Sequence, residues 1–173
     1  MSPTERDPTD PIRFIEAMRQ VPSVVTVVTT GDGNDVWGIT IGSFVSLSIS
    51  PPLISFNVQK TAAIHDPLAE SREYVVHVLR AEQTALSDLF ARSDLPPGGF
   101  FNDLQYGLTE AGSPVLEDAL VTFCCEAREV LPGGDHSIFV GAVTDVRMGT
   151  PGDPVLYHKR AYFGVGDHLS DHD

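Results

Sequence analysis

The sequence predicts a mainly β protein, an antiparallel barrel of about seven strands with a few peripheral α-helices. About seven runs rich in β-branched and apolar residues, separated by clusters of turn residues, favour short strands. The helical segments between them are too few and too irregularly placed for a regular βαβ sheet. The length of 173 residues favours a single domain over 1–173, with a core of about 11–165 and flexible tails at 1–10 and 166–173.

The first part of the chain predicts one helix followed by a hairpin. Asp10–Gln20 begins with an N-cap candidate, carries Pro11 at the first helical position and repeats apolar residues at helical spacing. Val24–Thr30 is almost wholly β-branched and predicts a strand. Gly31–Asp35 is dense in turn residues and should close a hairpin into Val36. From Val36 to Ser48 the sequence predicts a strand, a polar segment, and then a second strand or an extended loop.

The central part alternates strands with short helices. Pro51 and Pro52 interrupt the chain before an apolar strand over Leu53–Val58. Thr61–Glu70 predicts a short helix with Thr61 as its cap. Tyr74–Leu79 predicts another strand, and Ala81–Ala91 a second amphipathic helix.

The last part of the chain supplies the remaining strands and the only two cysteines. A Pro- and Gly-rich loop over Ser93–Gly99 comes first. Three strands are predicted over Leu120–Val130, Ser137–Arg147 and Val155–Phe163. Cys124 and Cys125 are adjacent, so in a strand they point to opposite faces and cannot easily form a disulfide. We expect one buried and one half-buried thiol, and no residue spacing indicates a metal site.

The charge of the chain restricts its partners. The formal net charge is −13, with 24 acidic against 11 basic residues, which argues against a nucleic acid as the main partner. No apolar run approaches the ~20 residues that cross a bilayer, so no membrane association is expected. The first ten residues lack a basic stretch followed by an apolar one, and a cytoplasmic location is predicted.

The densest unusual stretch is Gly38–Ser48. It carries four hydroxyl side chains, and Gly38 and Gly42 let a ligand approach the backbone closely. Such a strand edge can hydrogen-bond the rim of a flat heterocycle or offer hydroxyls to a phosphate. A solvated edge strand rich in Ser and Thr is the alternative. The four hydroxyls belong to Thr40, Ser43, Ser46 and Ser48.

Lys60 is a candidate anion ligand. It ends an apolar strand immediately before the helix predicted to begin at Thr61, so its ammonium group should lie beside free helix N-terminal amides. An ordinary surface lysine is the alternative.

The order and spacing of these pieces resemble the flavin reductase-like family, whose fold is the FMN-binding split barrel. The likeness covers about residues 14–163 and rests on the whole series rather than on any one motif. Its pieces are Gly38-x-Thr40-x-x-Ser43-Phe44-x-Ser46-Leu47-Ser48, Pro51-Pro52-Leu53, Lys60, His65, Tyr74–Leu79, Phe90-Ala91, Phe100, Gly112-x-Pro114-x-Leu116, Gly134-Asp135-His136, Gly141-x-Val143 and Pro154-x-Leu156-Tyr157.

The resemblance implies a fold and an activity. It implies a split β-barrel of antiparallel, Greek-key-like strands that forms a homodimer and binds FMN or FAD near the subunit interface. It also implies hydride transfer from NADH or NADPH to the flavin, with reduced flavin supplied to a partner flavin-dependent monooxygenase. A non-catalytic flavin carrier or an electron-transfer flavoprotein on the same barrel is the alternative, because a fold alone does not fix an activity.

The resemblance also assigns candidate site residues. The isoalloxazine edge would meet Thr40, Ser43 and Phe44, largely through main-chain atoms, and the ribityl chain and phosphate would meet Ser46, Ser48, Lys60 and Thr61. His65 would lie near the phosphate end, with a helix-surface histidine as the alternative. The remaining cofactor-binding candidates are Ile41, Leu47, Phe100 and Tyr162.

His136 is the candidate catalytic residue. The turn over Gly133–Asp135 ends at His136, whose side chain could reach over a planar ligand and hydrogen-bond a nicotinamide carboxamide. A solvated turn histidine is the alternative. Two departures from the family pattern stand out, because His77 replaces a common asparagine and Gly99 stands where a basic residue often precedes Phe100.

Overall fold

The computed structural model describes residues 10–96 and 98–166, so all but residues 10 and 166 of the tails predicted at 1–10 and 166–173 lie outside the described residues. Three α-helices occur within these ranges: α1 (Pro11–Met18), α2 (His65–Glu70) and α3 (Thr84–Phe90). Short 3₁₀ turns occur at Ala81–Gln83 and Gly99–Phe101. The strands are β1 (Ser23–Val24), β2 (Thr26–Gly31), β3 (Val36–Ile41), β4 (Val45–Ile49), β5 (Pro52–Gln59), β6 (Glu73–Val78), β7 (Tyr106–Leu108), β8 (Pro114–Leu116), β9 (Val121–Gly133), β10 (His136–Met148), β11 (Leu156–His158) and β12 (Ala161–Phe163).

One seven-stranded antiparallel sheet dominates the fold. Its strand order is β3-β2-β6-β9-β10-β5-β4, so β3 and β4 are its two edges. A three-stranded sheet, β1-β11-β12, and the hairpin of β7 and β8 complete the strands. Ser43, directly after β3, accepts a hydrogen bond from the Asn57 N–H on β5 at 2.9 Å and so links the two ends of the sheet. The prediction of a mainly β, antiparallel split barrel with peripheral helices is confirmed.

Two apolar clusters hold the barrel and its helices together. Inside the barrel, Phe56 lies between Tyr74, at 5.1 Å between ring centroids, and Phe139, at 5.4 Å. Outside the barrel, Phe90 of α3 packs on Phe100 and Phe101 and is 1% exposed. Because strand side chains alternate between the two faces of a sheet, β3 contributes to both clusters and positions α3 against its outer face.

Most predicted elements are present, but the β7–β8 hairpin was not predicted, the helix predicted from Ala81 begins as a 3₁₀ turn, and two further segments need correction. The second helix begins at His65 rather than Thr61, because the Ala62 N–H donates to Gln59 O and the His65 N–H to Ala62 O, which folds residues 59–65 into turns. The predicted final strand over Val155–Phe163 is instead the hairpin of β11 and β12. None of the described helices is long and apolar enough to cross a membrane.

The prediction of one half-buried thiol was wrong, because Cys124 and Cys125 are both buried and free. Burial raises the pKa of Cys125 to about 12, so this thiol stays protonated at neutral pH.

Candidate functional site

A groove opens along the outer face of β3, where the barrel is split. Its first lobe lies between β3 and the turn that follows β5, has a volume of about 470 Å³, and is closed on the far side by α3 and the 3₁₀ turn behind it. That volume is within the range of about 300–1,000 Å³ typical of small-molecule sites. Gly38, Thr40, Gln59, Thr61, Arg92 and Phe100 are among its lining residues.

Helix α3 is held against β3 by one hydrogen bond and one close contact. The Thr40 hydroxyl donates to the Ser87 carbonyl at 2.8 Å. Gly38 faces the buried Phe90 ring, and an added Cβ at this position would overlap it, with Phe90 Cδ1 only 2.6 Å away. The glycine therefore sets how closely the helix approaches the strand, and so sets the width of the groove.

The second lobe continues from Thr40 toward the C-terminal hairpin and has a volume of about 400 Å³. Here the Tyr162 phenol lies 2.6 Å from Asp88 Oδ1 and 2.9 Å from Ser87 Oγ. A phenol has one proton and an ionised carboxylate only accepts, so Tyr162 donates to Asp88 and the Ser87 hydroxyl donates to the phenol oxygen. Burial and the hydrogen bond to Asp88 raise the pKa of Tyr162.

The donor set of the groove fits a flat heterocycle better than a metal ion. Because β3 is a sheet edge, the outward half of its backbone N–H and C=O groups has no strand partner among the described residues. Such groups pair with the alternating donors and acceptors on a heterocycle rim, while Phe100 and the apolar part of the wall meet its faces. Among the described residues, no three His, Cys, Asp or Glu side chains converge as a metal-binding group.

Lys60 lies between Gln59 and Thr61, which line the first lobe, but not at a helix N-terminus, because α2 begins five residues later. Its backbone N–H donates to Asp135 O at 3.0 Å, and its ammonium group donates to Gly134 O at 2.7 Å. The predicted pairing of Lys60 with helix N-terminal amides was therefore wrong. The structure instead ties Lys60 to the turn that carries His136.

His136 is the first residue of β10 and lies directly opposite Gln59 in the β5–β10 ladder. Directly opposed residues lie on the same face of a sheet with Cβ atoms about 5 Å apart, so His136 borders the first lobe through Gln59. Its Nδ1 lies 2.7 Å from Asp135 Oδ1. This carboxylate fixes a proton on Nδ1 and leaves Nε2, which no described residue hydrogen-bonds, facing outward.

The hydroxyls of Thr40 and Ser43 are already used within the chain. Thr40 binds α3, and the Ser43 hydroxyl donates to Asn57 O and accepts from its N–H. Hydrogen bonds donated to a ligand at this rim must therefore come from main-chain N–H groups, in agreement with the largely main-chain contact that the resemblance implies. Ile41 is buried and borders the second lobe, while Phe44 packs on Phe123 at 5.4 Å between ring centroids.

Other predicted site residues lie away from the groove of a single chain. Ser46, Leu47 and Ser48 belong to edge strand β4 and line neither lobe, so their flavin contact stays a prediction. His65 opens α2, where Nε2 lies 2.9 Å from Ser137 Oγ and Nδ1 lies 2.8 Å from the Asp66 carboxylate. Thr61, Phe100 and Tyr162 do border the groove.

Sequence reasoning missed the contribution of α3 to the site. Ser87, Asp88, Ala91 and Arg92 line one or the other lobe, yet the sequence indicated only the apolar face of that helix. Their spacing places them on one side of the helix, but polar and small residues on a helix usually mark a solvated face. Only their position against the edge of β3 shows that they border a groove.

Comparison with known proteins identifies relatives along almost the whole chain. Residues 18–166 match the family described as the flavin reductase like domain. An NADH-dependent FMN reductase of Streptomyces nodosus subsp. asukaensis is 34% identical over 89% of this chain and 84% of its own. The reductase component of a 4-hydroxyphenylacetate 3-monooxygenase from Thermus thermophilus is 35% identical over 86% of this chain and 93% of its own.

A solved structure is similar to this chain in fold as well as in sequence. The NADH:FAD oxidoreductase of Streptomyces globisporus, in complex with NAD and FAD fragments, superimposes with a TM-score of 0.86 at 30% identity. The match covers 95% of this chain and 98% of that one.

Proposed function

Because this chain belongs to the flavin reductase-like family, we propose that it is an NADH-dependent flavin reductase that reduces FMN or FAD for a partner monooxygenase. When bound, the flavin supplies a ring that accepts hydride from a dihydronicotinamide. The protein's part is to bind both molecules in contact, orient them and keep water away. A nicotinamide-dependent activity also supports the predicted cytoplasmic location.

The pairing of His136 with Gln59 carries this proposal. Gln59 lines the first lobe, and His136 stands beside it with a free Nε2, so a ring in the lobe lies within reach of a carboxamide held by the histidine. Hydride transfer needs the reacting atoms about 3–3.5 Å apart, so the flavin ring must lie at this end of the groove. The free backbone edge of β3 then meets the rim of the ring.

Activity is tested by mixing the purified protein with NADH and free flavin under anaerobic conditions. NADH oxidation should occur only when FMN or FAD is present, and the flavin absorbance should bleach in step. A protein that holds flavin tightly but consumes no NADH would favour the non-catalytic carrier, and no NADH oxidation with any flavin would refute the reductase.

His136→Ala should raise the KM for NADH about tenfold and change kcat much less. The histidine orients the nicotinamide through one hydrogen bond of about 1.4 kcal/mol, and it moves no proton in the reaction. Steady-state kinetics at saturating FMN give both constants. An unchanged KM would remove the proposed role, and Arg128→Gln, on the exposed face of β9, is the matched control.

Lys60→Gln distinguishes a turn tether from a phosphate ligand. Since Lys60 holds the turn that carries His136, we expect the KM for NADH to rise three- to tenfold, whether riboflavin or FMN is the acceptor. A phosphate contact would instead raise the KM for FMN and leave that for riboflavin unchanged. Measuring both acceptors in parallel decides between the two roles, and the second pattern would overturn the tether.

We further propose that two copies of the chain associate as a homodimer. Large apolar side chains stay exposed on β4 and on the end of β10, with Ile49 89% exposed and Met148 76% exposed. Exposed apolar patches on a sheet edge are typical of protein interfaces. Such an interface would also cover the β4 residues Ser46, Leu47 and Ser48, which the single chain leaves outside the groove. Sedimentation equilibrium of the wild type and of Ile49→Glu tests this association.

A further inference from the structure

The C-terminal hairpin of β11 and β12 borders the second lobe of the groove, although few contacts hold it there. Strand β12 is the edge of its three-stranded sheet, and β11 pairs with β1 at two residues only. No residue of either strand is buried, and the last buried residue of the described chain is Val155, just before β11. The position of this wall of the groove therefore depends on individual contacts rather than on a packed core.

Tyr162 makes the contact that joins this hairpin to α3. Its phenol donates to Asp88 Oδ1 at 2.6 Å and accepts from the Ser87 hydroxyl at 2.9 Å. Ala161 and Phe163, the other residues of β12, have no polar side chain, so these are the only side-chain hydrogen bonds of the strand. The Tyr162 ring also packs against the outer apolar cluster that contains Phe90 of α3. The hairpin is therefore bound to the helix through one side chain.

The same turn of α3 also binds the opposite wall of the second lobe. The Thr40 hydroxyl on β3 donates to the Ser87 carbonyl at 2.8 Å. Ser87 is 2% exposed and so fixed within the fold, whereas its neighbour Asp88 is exposed. A hydrogen bond to an ionised carboxylate is stronger than one between neutral groups. Residues 87 and 88 thus connect the two walls of the lobe, and the carboxylate makes the stronger of the two bonds to the hairpin.

We propose that Asp88 is a positioning residue of the reductase, which binds the Tyr162 phenol and so holds the C-terminal hairpin at the distance from α3 at which the groove fits its cofactor. The inference rests on the proposed function, because this groove is the proposed flavin site. Thr40 and Ala91 line both lobes, so a shift of the hairpin changes the space next to the flavin ring. The shift also moves Arg160, the one cation among the described residues that line the second lobe.

Asp88→Ala and Tyr162→Phe test the bond from its two ends. Each should raise the dissociation constant of FMN about fivefold, the factor expected for the loss of one hydrogen bond, and change kcat at saturating FMN and NADH much less. Because both substitutions remove the same bond, the double variant should bind FMN no more weakly than either single variant. Fluorescence titration gives the dissociation constants. Additive losses in the double variant, or wild-type affinity in both single variants, would overturn the proposal.

Asp88→Asn separates the hydrogen bond from the charge. The amide oxygen of asparagine still accepts from the phenol, so FMN affinity should stay within about twofold of the wild type. An affinity as low as that of Asp88→Ala would assign the effect to the charge of Asp88 and contradict the positioning role. Asp103→Ala is the matched control, because it removes an exposed carboxylate that lines neither lobe.

The ionisation of Tyr162 measures the bond without any cofactor. Burial and the hydrogen bond to Asp88 raise the pKa of Tyr162. In Asp88→Ala this pKa should fall toward its ordinary value, and an ultraviolet absorbance titration compared with that of Tyr162→Phe isolates it from the other tyrosines. An unchanged pKa would show that Asp88 does not hold the phenol. Because the titration needs neither flavin nor NADH, failure of this inference is distinguishable from failure of the reductase assignment.

Discussion

Gly38→Ala is expected to lower the free energy of unfolding by about 2 kcal/mol and to weaken flavin binding at least tenfold. The new methyl group would overlap the ring of Phe90, which Phe100 and Phe101 hold at centroid distances of 5.7 and 5.2 Å. Overpacking a core of this kind costs about 1–3 kcal/mol. Relief requires α3 to move away from β3, and that movement reshapes both lobes of the groove.

Thermal unfolding and fluorescence titration with FMN measure the two effects separately. A loss of about 2 kcal/mol lowers the unfolding temperature by about 4–8 °C in a domain of this size. Gly107→Ala is the matched control, because an added Cβ there meets nothing within 4 Å. It should be neutral or slightly stabilising. A Gly38→Ala protein with wild-type stability and wild-type flavin affinity would show that this contact does not set the groove.

His77→Ala is expected to lower the free energy of unfolding by about 4 kcal/mol. The ring is fully buried, with Nδ1 3.1 Å from Val27 O on β2, while Nε2 accepts from the Leu116 N–H on β8 at 3.1 Å. Removing it leaves a cavity and takes away the partner of the buried Leu116 N–H, and an unpaired buried group costs about 1–3 kcal/mol. Asparagine can keep the bond to Val27 O with its amide N–H but is too short to reach the Leu116 N–H, so His77→Asn should lose less than His77→Ala.

His77 should also make stability depend on pH. Burial lowers its pKa from 6.5 to about 4 in the native state, because the charged form is excluded from the core. As pH falls below 6.5 the unfolded chain takes up a proton that the native protein does not, so stability falls until about pH 4 and then levels off. The difference between the two pKa values corresponds to about 3 kcal/mol.

Urea unfolding of the wild type and of His77→Asn between pH 7.5 and pH 4 isolates this contribution. The stability difference between the two proteins should shift in favour of the variant by about 3 kcal/mol as pH falls. Parallel curves for the two proteins would show that His77 is not the titrating group.

Local sequence signals were sufficient to predict most of the helices and strands. Asp10 caps α1 because its carboxylate accepts a hydrogen bond from the Ile12 N–H, and the turn residues at 31–35 close the hairpin of β2 and β3 as predicted. The signals failed where nonlocal contacts decide the structure. Thr61 resembles a helix cap, but turn bonds between residues 59 and 65 delay the helix, and the long final strand is broken by Lys159 and Arg160.

The site was predicted only in part, because the sequence does not show which polar helix residues pack beside the groove. The resemblance named Thr40, Thr61, Phe100 and Tyr162, which border the groove, and His136, which stands beside it. It did not name Asp88 or Ser87, because a polar helix face gives no sign of the strand it packs against. The local pattern before Thr61 placed Lys60 at a helix terminus, whereas the lysine binds a turn 74 residues further along the chain.

The sequence by itself determined the fold class, the order of most elements and the family, because β-branched runs, turn residues and motif order are local or ordered along the chain. The tertiary structure decided which hydroxyls are already bonded within the chain and which residues of α3 meet the groove. Those facts depend on pairs of residues brought together by strand register and helix packing. No local pattern along the chain encodes them.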